Sequence, residues 1–120
     1  MLKNFILVGL GGFVGAVLRF AFIQMIKVTQ FPIATLLINM IGSCLIGIII
    51  GISLKYSAFN DNWKLFLATG ICGGFTTFSA FSLENLQLIQ EGKTTQAILY
   101  IMGSVILGIA ATWIGFKIVS

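Results

Sequence analysis

Gly70-Ile71-Cys72-Gly73-Gly74-Phe75-Thr76-Thr77-Phe78-Ser79-Ala80-Phe81-Ser82-Leu83-Glu84 is the stretch on which the reading of this chain turns. It lies within a long apolar run, yet it carries three glycines, four hydroxyl residues and a terminal carboxylate. In water such a composition reads as a loop. In lipid an irregular backbone is tolerated only where protein or a water-filled cavity surrounds it. The surroundings of the stretch therefore decide what it is.

Those surroundings are apolar. Of the 120 residues 58% are hydrophobic and 8% charged, and the mean hydropathy is +1.09. A soluble domain carries about 25% charged residues, so the composition places the chain in a membrane as one small domain. The net charge of +4 is then no nucleic-acid signal. The lysines fall mostly between apolar runs, where they meet headgroups or water.

Four runs are long enough to cross a bilayer, which takes about 20 apolar residues. They cover residues 4–26, 33–54, 64–89 (with a break near 73–77) and 95–117. The connections are short. Residues 27–32 end on Pro32, suited to a helix start; residues 55–63 contain Asn60-Asp61-Asn62, a turn and N-cap signal; residues 90–94 centre on Gly92. Lys3 ahead of an apolar core resembles a secretory leader, but Arg19 interrupts that core and no small-residue cleavage site follows. With so little chain outside lipid, the function lies in the spans.

Orientation is weakly specified. One side carries Lys3, Lys55, Lys64 and Lys117, the other Lys27, Lys93 and, if counted, Arg19. This weak bias under the positive-inside rule predicts a chain that inserts in both orientations or sits close to that balance.

Small residues recur at helical spacing: Gly11 and Gly15, with Gly9, Gly12 and Ala16, in the first span; Ser43, Gly47 and Gly51 in the second; Ser104, Gly108 and Thr112 in the fourth. Such steps let helix backbones approach closely in lipid. Cys44 and Cys72 read as packed thiols, and the lack of His and of any Cys-x-x-Cys pair argues against a transition metal.

The polar residues within the spans are the candidates for chemistry. Thr35, Asn39 and Ser43 form one stripe at a spacing of four, and Tyr100, Ser104 and Thr112 a second. Either is explained by interhelical hydrogen bonds; facing each other they would line a narrow polar path. Asn39 is favoured because its amide supplies two donors. Arg19, the only arginine, either snorkels to the interface or marks an anion-attracting vestibule. Gly73-Gly74 can break the third helix, Thr76-Thr77 can satisfy the freed backbone, and exposed carbonyls suit Na⁺. Phe78 and Phe81 share a helical face, which is packing or a pore wall. Glu84, one turn on, reads as an interfacial carboxylate or part of the path.

Three ordered segments carry a resemblance. Residues 11–20 (GGFVGAVLRF), 35–43 (TLLINMIGS) and 73–81 (GGFTTFSAF) resemble the first, second and third helix signatures of the Fluc (CrcB) fluoride channels. The resemblance covers all four spans. It implies an all-α integral membrane protein of four transmembrane helices with a broken third helix, multi-pass in the cell inner (plasma) membrane. It implies assembly as an antiparallel, dual-topology dimer with two fluoride pores. The partner is a second copy or a homologous, oppositely oriented subunit, as in relatives that form heterodimers. A central structural Na⁺ would be held by the backbone carbonyls of Gly73 and Thr76. The positions matching Phe78, Phe81 and Asn39 line the pores in the family, and those matching Arg19, Thr77, Tyr100, Ser104 and Glu84 belong to the pathway. At Gly108 some relatives carry a further pore serine.

The expected function is passive, fluoride-selective flow that lowers cytoplasmic fluoride. No nucleophile with an adjacent base is present, so no enzyme chemistry is expected. A proton-coupled four-helix drug exporter would need a carboxylate deep in the first span, where this chain has Arg19 and no acid. A non-transporting assembly subunit is the third reading.

Overall fold

The computed structural model describes residues 1–26 and 32–120. The expected connection at 27–32 and the charge of Lys27 therefore fall largely outside the described residues. Long helices form where the apolar runs predict them. Helix α1 is Leu2–Met25 and α2 is Ile33–Lys55. The third run opens as α3 (Asp61–Lys64), passes into a π-helical segment (Leu65–Cys72), and resumes as α4 (Gly73–Phe75) and α5 (Phe78–Gln90). Helix α6 is Thr94–Val119. Four helical stretches are long and apolar enough to cross a membrane, the third taken as Asp61–Gln90. At about 1.5 Å per residue, the 24 residues of α1 match a hydrocarbon core about 30 Å thick.

Local chemistry sets the helix ends. Asn60 Oδ1 accepts from the backbone N–H of Asn62 (3.0 Å) and Trp63 (3.4 Å), satisfying donors that open α3. The α5–α6 turn is closed by Gly92 at φ 79°. There Lys93 N–H donates to Leu88 C=O (2.8 Å) and Gly92 N–H to Ile89 C=O (3.1 Å). This is a Schellman termination, and its left-handed residue is glycine because a Cβ is disfavoured there.

The helices pack in two pairs through backbone contact. Helix α2 lies along α6, where a Cβ on Gly47 would strike the Thr112 carbonyl and one on Gly115 the Cys44 carbonyl. Helix α1 lies along the π-helical segment and α4. Here Gly11 meets Phe66 and Gly70, Gly15 meets Ile71, and Gly74 meets Gly12. Lipid tails are as apolar as Leu, so this close approach supplies the van der Waals contact that drives association. The small-residue steps thus divide the work. Gly11, Gly15, Gly47 and Gly51 lie in seams, whereas a Cβ on Gly9 would meet open space and Gly108 borders a cavity. Gly70, Gly74 and Gly115 complete the seams.

Between the pairs, Ile49, Ala68 and Cys72 form a small buried cluster. The cavity opens beside it, bounded by α2, the π-helical segment, the α4–α5 junction and α6. Many of the large apolar side chains of α1 and α6 are exposed, as a lipid-facing surface requires. At the end shared by α2 and α6, Lys55 Nζ lies 5.8 Å from the Tyr56 ring centroid and Lys117 Nζ 5.8 Å from that of Trp113. Such pairs suit the headgroup level.

Candidate functional site

The site is built where the third run leaves helical geometry. Thr76 (φ −79°, ψ 157°) and Thr77 (φ −149°, ψ 123°) are extended between α4 and α5. Extended residues at membrane depth release backbone groups that must find partners. Thr76 Oγ1 donates to Cys72 C=O at 2.9 Å. Thr77 Oγ1 caps α5 by accepting from Ala80 N–H at 3.2 Å, and lies 3.1 Å from Ser79 Oγ.

Asn39 of α2 braces this junction at two points. Its Oδ1 accepts from Thr77 N–H (2.9 Å), and its Nδ2 donates to Thr77 C=O (3.3 Å). The two bonds have a consequence for the carbonyls. In a continuous α-helix Thr77 N–H would bond Gly73 C=O, and Ala80 N–H would bond Thr76 C=O. Both donors are diverted, one to Asn39 and the other to the Thr77 hydroxyl. Gly73 and Thr76 thus lose their helical partners, and both line the cavity. One of the two Nδ2 hydrogens of Asn39 is used on Thr77, so its amide brings one further donor to the cavity rather than two.

The aromatic wall follows. The Phe78 and Phe81 ring centroids lie 5.6 Å apart, and Phe81 meets Tyr100 edge-on at 4.9 Å and 65°. Beyond this wall both Glu84 carboxylate oxygens accept hydrogen bonds, Oε2 from Thr35 Oγ1 at 2.8 Å and Oε1 from Tyr100 OH at 2.9 Å. Glu84 is thus held between helices, and the two polar stripes converge on it through Thr35 and Tyr100. Thr35 is 2% and Tyr100 1% exposed.

The cavity is an open cleft of about 450 Å³, lined by Asn39, Gly73, Thr76, Thr77, Phe81 and Ser104, with Phe78, 77% exposed, at its rim. Tyr100 and Glu84 stand behind Phe81. Arg19 is half-buried on α1 and is not part of the lining. Thr112 spends its hydroxyl on Gly108 C=O at 3.1 Å and also stays out of the wall. Among the described residues, no Asp, Glu, Lys or Arg lines the cavity. The residues not anticipated are Met40 and Thr69, which line it, and Asn85, a buried amide whose Nδ2 donates to Phe81 C=O at 2.9 Å. Thr69 lies in the π-helical segment, whose widened turn has no periodic signature in sequence.

Comparison with known proteins identifies the family. The one described as "CrcB-like protein, Camphor Resistance (CrcB)" matches residues 6–116. The chain belongs to the CrcB family. This member is similar to proteins named fluoride-specific ion channel FluC. That of Azobacteroides pseudotrichonymphae genomovar. CFP2 is 47% identical over 119 residues, covering 97% of this chain and 95% of the relative. That of Flavobacterium psychrophilum is 46% identical, covering 98% and 97%, and one from Thermus thermophilus is 41% identical, covering 97% and 93%. The CrcB assignment and the four apolar helices make this chain a multi-pass membrane protein.

Proposed function

We propose that this chain forms a fluoride-selective channel that passes the ion passively and lowers cytoplasmic fluoride. The observation that carries the reading is the cavity wall. It combines two phenylalanine rings, an amide and several hydroxyls with no ionisable carboxylate or ammonium among the described residues. The names of the similar proteins supply the identity of the ion.

The wall suits a small, strongly hydrated anion. Ring edges are electropositive and can face a halide. The remaining Asn39 N–H and the Ser104 hydroxyl, which is buried without a hydrogen-bond partner among the described residues, are conventional donors. Together they replace lost water without a fixed cation that would hold the ion too tightly for release. Nothing in the described wall couples passage to a proton.

The functional unit is two antiparallel copies, or this chain with a homologous subunit of opposite orientation, carrying two pores in the plasma membrane. The carbonyls of Gly73 and Thr76 fit a hard monovalent cation, since both have lost their helical donors and oxygen is the ligand such ions prefer. They would hold a structural, non-transported Na⁺ together with the same pair from the second subunit. When bound, that ion supplies a fixed positive charge that offsets anion desolvation and joins the subunits. Arg19 would act at the mouth of the path, drawing anions in.

Two measurements test this. Liposomes holding this chain alone are expected to release fluoride rapidly with no proton gradient imposed. Release no faster than from empty liposomes refutes self-sufficient conduction. Prolonged exchange of Na⁺ for a large organic cation on both sides is expected to weaken the assembly and slow efflux. Unchanged assembly and rate would show that the Gly73 and Thr76 carbonyls hold no structural cation.

A further inference from the structure

We propose that Ser43 of α2 is a pore-lining donor to the permeating anion, supplying opposite Gly108 the hydroxyl that α6 lacks there. The proposal rests on the fluoride-channel reading. On α6 the wall offers Ser104, then one turn later the bare Gly108. A continuous row of donors would fail at that point, because an anion leaving one hydroxyl would meet only apolar surface. Ser43 stands across the gap. A Cβ built on Gly108 lies 3.9 Å from Ser43 Oγ and 3.6 Å from Met40 Cε, so the Ser43 hydroxyl already borders the space a residue-108 side chain would enter.

Its hydrogen is also available. Two nearby hydroxyls are spent on their own helices, Thr76 on Cys72 and Thr112 on Gly108, whereas Ser104 keeps its hydrogen free of any described partner. Ser43 has no hydrogen bond to any described residue, is half-buried, and lines the cavity. It sits one turn from Asn39 on the same face of α2, about 6 Å along the axis. A half-buried hydroxyl on an open cleft can donate to water or to an anion that displaces that water. Asn39 and Ser43, one turn apart on α2, and Ser104, one turn before Gly108 on α6, are then neutral donors on one cavity wall.

The test uses purified protein in liposomes with fluoride efflux as the readout and size-exclusion chromatography as the check on assembly. Ser43→Ala is expected to slow efflux about tenfold or more, the worth of one hydrogen bond to a charged group. Adding Gly108→Ser to that variant is expected to restore most of the rate, since the new Cβ makes only ordinary contacts. The isosteric pair Ser43→Thr and Ser43→Val guards against a packing effect, with threonine conducting and valine not. Equal rates for Ser43→Ala and wild type, or for threonine and valine, overturn the proposal, as does failure of Gly108→Ser to rescue. If the wild-type chain alone conducts no fluoride, self-sufficient conduction is refuted, and this inference falls with it. If wild type conducts and the variants match it, only this inference falls.

Discussion

Phe81→Ile is expected to leave the proposed assembly folded and to remove most of its fluoride flux. The Phe81 ring lies between Phe78, at 5.6 Å, and Tyr100, at 4.9 Å and edge-on, and it faces the cavity. Isoleucine keeps a comparable apolar bulk against Tyr100 and Leu88, with which Phe81 clusters. It has no ring edge to present to an anion. The expected fall is about tenfold or more, which corresponds to a transit barrier raised by at least ~1.4 kcal/mol. Efflux from liposomes gives the rate, and elution volume with far-UV dichroism confirms the assembly. Undiminished flux from a correctly assembled variant would remove the ring from the pathway.

Asn39→Ala is expected to produce the second large effect, by a different route. It deletes both hydrogen bonds to Thr77 and leaves a buried N–H and C=O without partners, a cost of about 1–3 kcal/mol each. The cheapest relaxation is a return of Thr77 toward helical dihedrals, which would give its N–H back to Gly73 C=O. On the proposed function, loss of flux is expected together with loss of any stabilisation of the assembly by Na⁺. Asn39→Asp separates the brace from the donor. It keeps the acceptor for Thr77 N–H but loses the donors and adds a negative charge to the wall, so assembly is expected to survive while flux is lost. Efflux and size-exclusion profiles in Na⁺ and in an organic cation distinguish the two. An Asn39→Ala variant that conducts normally would show that the brace is dispensable.

The glycines illustrate how far reading along the chain can go. Gly11 and Gly15 announce a close helix contact through their spacing, and the contact is present against Phe66, Gly70 and Ile71. Spacing names one face and leaves the partner open, so the same kind of step in α6 could not be sorted. Gly108 borders the cavity, while Gly115 carries the seam with α2. Glu84 shows the same limit. As a lone acid near a span end it is compatible with the interface, and only folding brings Thr35 and Tyr100, 49 and 16 residues away, onto its two oxygens.

By itself the sequence determined the four apolar runs, the cap at Asn60, the short connection around Gly92, the family and the polar residues that would have to share a site. These follow from composition and from interactions within a few residues, which hydropathy and local hydrogen bonding settle. Only the tertiary structure decided that Asn39 binds Thr77, that Gly73 thereby loses its helical donor, that a π-helical segment precedes the junction, and that Ser43 faces Gly108. Each depends on which backbone approaches which across the two helix pairs. In lipid that choice is made by close packing between surfaces of nearly equal hydrophobicity, a quantity that no single span carries alone.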